Sequence, residues 1–337
     1  QALYRSWMAP VADLLKESVI VVPDGLLCLL PFEALLTSAD TASYRFHRHH
    51  FLIKKYHIGY AHSAAAWLSL CQRPRSEAPR PLLAIAPDFD HNTHGLRPLR
   101  HNAAEADSVQ ALTDGDVWHG NAARKQRFQA EADQYRVLLL STHGVTDDRE
   151  PLASFVAFTS EPSTADTDDD LLRVSDLYAL RLPADLVVLS ACQTASGRLY
   201  RGEGMLSVAR AFQYAGAKSL VASLWNVDDR QTPALMRSFF GFLWQKREKS
   251  AALGESKKAY LKSHQGLDAH PYYWAGLVSI DDRWVYIEHA ANIRRWGTTR
   301  GLSQLVSGPL PGTVLDPAGA VQASLSALIH LFEVEAR

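Results

Sequence analysis

The chain has 337 residues, 47% hydrophobic and 21% charged, a composition that supports a sizeable core and excludes a disordered or fibrous polypeptide. A formal net charge of -1 supplies no basic field for counterion release, so direct nucleic-acid binding is not expected. The 3 cysteines, Cys28, Cys71 and Cys192, contain no CxxC pair and make no disulfide framework, which points to a reducing, cytoplasmic setting. Residues 3–15 place Leu3, Trp7, Val11, Leu14 and Leu15 at helical spacing. Val19-Ile20-Val21-Val22, the turn Asp24-Gly25 and Leu26–Leu30 then read as a hairpin, with Pro31 opening a short helix. The apolar run from Val19 to Leu36 is broken by Pro23, Asp24, Pro31 and Glu33, so it does not read as a membrane span. The chain starts at Gln1 rather than Met, and an upstream portion is expected.

Residues 51–60 are expected to be extended and Ala64–Leu70 helical, before a proline-rich boundary from Arg73 to Pro81. Beyond it, strands are predicted at Leu82–Ile85, Val117-Trp118, Val137–Leu140, Ser154–Phe158, Leu186–Leu189 and Leu220–Leu224. Helices are predicted between them at Asn102–Leu112, Ala122–Ala132, Val174–Leu180, Met205–Tyr214 and Thr232–Trp244. This alternation argues for an α/β domain whose largely parallel central sheet is flanked by helices. Ser160–Asp170 is an acidic loop, and a Gly- and Pro-rich stretch at 297–319 leads to an amphipathic helix over Val321–Phe332. The expected organisation is an N-terminal α/β segment (1–75), a core (76–290) and a loop-rich tail (291–337) ending in that helix.

Two strand ends carry reactive side chains. Leu138-Leu139-Leu140 runs into Ser141-Thr142-His143-Gly144, and Val187-Val188-Leu189 runs into Ser190-Ala191-Cys192-Gln193. As parallel strands of one sheet, they would deliver His143 and Cys192 to the same rim. An imidazole there can take a thiol proton and later protonate a leaving amine. The N–H groups of Gly144 and Cys192 are then natural donors to an oxyanion. From spacing alone, a cysteine closing a buried strand reads equally as a small core residue.

The block LVVLSACQTASGRLYRGEGMLSVARAFQYAGAKSLVASLWNVDD at 186–229 resembles the signature of the CHAT peptidase family, relatives of caspases and separases. STHG at 141–144, VVPDGLLCLLPFEAL at 21–35 and HPYYWAGLV at 270–278 resemble its other motifs, in the family's order. The resemblance implies a caspase-like fold, a His143–Cys192 dyad, cofactor-free hydrolysis of a peptide bond in a protein partner, and a regulatory repeat region upstream. It also implies kinship with peptidases that act in bacterial defence. Ser223–Asp229 resembles the segment that lines the primary pocket of separases, which places Asp228 and Asp229 beside a substrate arginine or lysine, with Gln193 adjacent. The competing role for those aspartates is to cap the helix at Thr232. Residues 246–266 lack the alanine-rich helix of the family, and Ala61-His62-Ser63 replaces its proline–serine step.

His47, His49 and His50 lie among arginines with no nearby cysteine or carboxylate, so a solvated basic turn is expected and no metal site. Tyr272, Tyr273 and Trp274 are read as core packing. The leading reading is a cysteine endopeptidase, and the alternative is a non-catalytic caspase-like scaffold.

Overall fold

Short runs of β-branched residues and leucine, bounded by turn residues, form the strands of this chain. The computed structural model describes residues 1–38, 44–90, 94–147, 149–160, 170–190, 204–225, 230–245 and 247–280. The chain divides into two units, Gln1 with Val11–Tyr286 and Ala2–Pro10 with Ile287–Arg337. In the second, the described part contains one wide helical turn, Tyr4–Met8. The expected tail helix over Val321–Phe332 lies outside the described residues.

In chain order the first unit contains β1 (Ser18–Val21), β2 (His57–Tyr60), α1 (Ala64–Gln72), β3 (Arg80–Ala86), α2 (Asn102–Gln110), β4 (Asp116–His119) and α3 (Lys125–Glu131). There follow β5 (Tyr135–Leu140), β6 (Gly144–Val145), β7 (Phe155–Ala157), β8 (Leu171–Arg173), α4 (Val174–Leu177) and β9 (Leu186–Leu189). The described part closes with α5 (Gly204–Ala215), β10 (Leu220–Ser223), α6 (Thr232–Trp244), α7 (Lys249–Ser263), α8 (Pro271–Trp274) and β11 (Leu277–Ile280). An eight-stranded sheet has the order β1-β2-β11-β10-β9-β5-β3-β4, and β6-β7-β8 form a small second sheet.

Five neighbours, β10-β9-β5-β3-β4, are mutually parallel. β1, β2 and β11 are parallel to each other, and they meet the first block at an antiparallel seam where Leu220 faces Ile280 and Ser223 faces Leu277. The sheet is therefore largely parallel and flanked by helices, as the alternation predicts. Leu82, Ala84, Val137, Leu139, Leu186, Val188 and Val221 face one side, against Ala106 and Val109 of α2, Phe239 and Phe240 of α6, and Leu253 of α7. The alternate residues Leu83, Ile85, Leu138, Leu140, Val187 and Leu189 are equally buried on the opposite face. Such two-sided burial explains why the strands read as continuous apolar runs.

Three local expectations are overturned. The hairpin at 19–30 does not form: β1 pairs in parallel with β2, and Gly25–Leu29 is a 3-10 turn. Its amides are satisfied locally, Leu27 N–H bonding Asp24 O at 3.1 Å and Leu30 N–H bonding Leu27 O at 3.1 Å, with Gly25 at φ 55°. The stretch at 51–60 is extended only at its end, because Leu52–Lys54 is a 3-10 turn before β2. Residues 246–266, which show no family-like helical pattern, nevertheless contain the helix α7. That helix is buried around most of its circumference, so no apolar stripe marks it. Its buried polar residues find long-range partners instead. Lys249 Nζ reaches Ser219 Oγ at 2.7 Å, and Lys257 Nζ reaches Glu33 Oε1 at 2.8 Å.

Candidate active site

β5 and β9 lie side by side with Leu140 opposite Leu189, and Ser190 N–H extends the ladder to Leu140 O at 3.1 Å. β10 is the next neighbour on the other side of β9. The carboxyl ends of these three parallel strands lie on one rim, the position where open α/β sheets assemble sites.

His143 is almost fully buried just beyond β5. Contacts with described neighbours help to hold it. Ala157 N–H donates to the His143 carbonyl at 2.9 Å, tying its backbone to β7. The Phe89 ring meets the imidazole edge-on, with centroids 4.6 Å apart. Its Nε2 lies 2.6 Å from the carbonyl oxygen of Arg97. A carbonyl only accepts, so Nε2 carries the proton and Nδ1 is the basic nitrogen of the neutral ring.

The same backbone geometry orients Gly144. His143 and Val145 are the hydrogen-bonded positions opposite Ala157 and Phe155, so Gly144, facing Val156, is a non-bonded position. Its N–H therefore points away from β7. Thr142 secures the turn by donating its hydroxyl to Ala157 O at 2.6 Å.

Cys192, Gln193, Asp228 and Asp229 lie outside the described residues. At the proposed cap of α6 stands Gln231, which makes no side-chain capping bond. Trp225, which leaves β10, donates its indole N–H to Tyr272 O at 2.9 Å and stacks on the Tyr272 ring at 6.5 Å. Gly276 makes this stack possible, because a Cβ there would come within 2.8 Å of the Trp225 ring. The aromatic cluster thus divides: Trp274 is core, packed on Phe51 at 5.1 Å, whereas Tyr272 is exposed.

Among the described residues no group of three or more side chains could hold a metal ion. The histidine-rich turn is only partly solvated. Arg45, Arg48 and His50 are exposed, but His49 is buried between Phe46 at 5.3 Å and Phe51 at 5.7 Å.

Reasoning from sequence missed two features. Arg97 acts through a backbone carbonyl, which no residue type announces. Glu33 is buried with Lys257, and Tyr60 donates its hydroxyl to the same carboxylate while accepting Phe32 N–H at 2.8 Å. The signal for that triad was available as a lone glutamate inside an apolar run.

Together these observations define an α/β module with a largely parallel sheet and a buried histidine at the carboxyl end of β5. The family model of the CHAT domain matches residues 1–282, and the chain belongs to that family. Tetratricopeptide repeat protein 28 of Mus musculus is 37% identical over 110 residues, and that of Homo sapiens 34% identical over 110 residues. Each match covers 33% of this chain and 4% of the relative, so the shared part is a small fraction of those proteins. The Saccharomyces cerevisiae separase–securin complex is a distant structural likeness. Two crystal structures of it give TM-scores of 0.44 and 0.41 at 15% identity, covering 75% of this chain and 15% and 14% of those chains. No helix among the described residues is long and apolar enough to cross a membrane.

Proposed function

We propose that this chain is a cysteine endopeptidase that cleaves a protein partner through His143 and Cys192 without a cofactor. The observation that carries the reading is strand register. Leu140 and Leu189 face each other across parallel strands, and His143 and Cys192 each follow three positions later. Nδ1 of His143 accepts the Cys192 proton, and the thiolate attacks the scissile carbonyl. The N–H groups of Gly144 and Cys192 hold the oxyanion, in keeping with the outward direction of the Gly144 amide. The imidazolium then protonates the leaving amine, and water releases the acyl group from sulfur. The Arg97 carbonyl stabilises that imidazolium through Nε2.

Asp229 and Asp228, aided by Gln193, select arginine or lysine before the scissile bond, since a carboxylate holds guanidinium through paired hydrogen bonds. Residues 1–75, 76–290 and 291–337 serve as N-terminal segment, catalytic core and tail. An upstream repeat region regulates the site, a proposal in keeping with the name of the tetratricopeptide relatives. The sparse cysteines fit work in the cytoplasm.

A thiol-directed electrophile and a peptide library test this directly. Cys192 is expected to label promptly, and Cys192→Ala to abolish both labelling and cleavage. Preference for arginine or lysine is expected to fall with Asp229→Ala. Labelling confined to Cys28 or Cys71, without cleavage, would instead establish a scaffold module.

A further inference from the structure

The Arg97 carbonyl can hold His143 only if the irregular segment that carries it stays in place. Two kinds of contact anchor that segment to the small sheet. Phe89 and Leu96 pack on Ala157 of β7 and Leu171 of β8, with Leu99, Val145 and Phe155 around them. Polar contacts add direction. Asp88 N–H donates to Thr159 Oγ1 at 3.0 Å, and His94 Nε2 lies 2.9 Å from Asp170 Oδ1.

Asp170 is a buried carboxylate with both oxygens engaged, the second by the Ser160 hydroxyl. Its backbone is fixed too, because its carbonyl accepts Phe158 N–H at 2.7 Å where β7 meets β8. His94 stands three positions before Arg97, so a ring pinned at one end limits where the Arg97 carbonyl can swing.

We propose that Asp170, acting through His94, is a positioning residue for His143: it keeps the Arg97 carbonyl on Nε2 and so sets which imidazole nitrogen is basic. The catalytic consequence rests on the peptidase reading; the effect on the ring does not. Neither residue touches the reacting atoms. Asp170→Asn preserves volume but removes the carboxylate charge, so the hydrogen bond accepted from His94 loses its charge-assisted strength. His94→Ala removes that bond, whereas His94→Gln keeps a donor.

The test uses the full chain and reads the His143 ring by nitrogen NMR, beside peptide turnover. The parent is expected to show a single Nε2–H tautomer, and Asp170→Asn and His94→Ala a mixture of both, with His94→Gln near the parent. In the two disruptive variants kcat is expected to fall roughly tenfold to a hundredfold with KM little changed, the scale of a small misplacement of a catalytic group. An unchanged tautomer in a folded Asp170→Asn or His94→Ala chain overturns the inference. If Asp170→Asn fails to fold, His94→Ala, at a partly exposed position, decides alone. A shifted tautomer in chains that cleave nothing would remove the peptidase reading and leave the positioning role standing.

Discussion

His62 lies just beyond β2, and its surroundings have a measurable consequence. Burial, then the Arg210 guanidinium, push its imidazole down to about 4, against a weaker opposing interaction with the Gln213 side chain. The folded chain thus refuses a proton that the unfolded chain accepts near 6.5. Stability linked to His62 is complete above that value and falls as the pH drops towards 4. Urea unfolding across this interval should lose up to about 1.4 kcal/mol per pH unit on account of this group. His62→Gln should flatten that slope, and an equally steep slope in the variant would rule out the assignment. His143 contrasts with it. Its place at the sheet rim was legible because a histidine shortly after a buried apolar strand is a side-chain signal. The carbonyl that orients it was not, because every residue but its own geometry offers the same acceptor.

Helix α7 shows how an element escapes pattern reading and still forms. Its serines and lysines break the apolar period, yet Ser256 bonds Leu253 O at 2.7 Å and Lys257 meets Glu33 from the far end of the chain. Burial and the neighbouring Glu33 hold the Tyr60 phenol well above its ordinary range, so it remains a donor to that carboxylate. Glu33→Gln would strand a buried ammonium, and thermal or urea unfolding should report a loss of about 3–5 kcal/mol. Replacing both partners, as in Glu33→Leu with Lys257→Met, should restore most of it, since an apolar pair needs no counter-charge. Gly216 marks another element boundary. At φ 126° it turns α5 into β10, and a Cβ there would meet Leu182 O at 2.8 Å, so Gly216→Ala should also destabilise.

Across the whole first unit, the sheet centre and its edges should differ in stability. β5 and β9 have paired neighbours on both sides and burial on both faces, whereas β1 and β4 are the sheet edges. Native-state hydrogen exchange should find Leu138–Leu140 and Val187–Leu189 among the slowest amides, and Ser18–Val21 markedly faster. Uniform protection from edge to centre would contradict that order. By itself the sequence located the central buried strands to within a residue or two, indicated that helices separate most of them, and showed which of them are followed in the chain by a thiol or an imidazole. These are local facts, written in apolar runs and the polar residues that stop them. Only the tertiary structure decided that β5 and β9 are neighbours, that β10 and β11 form an antiparallel seam, and that Arg97 and Asp170 stand behind His143. Those depend on backbone groups and on partners tens to hundreds of residues apart, whose pairing is chosen by packing rather than by any local pattern.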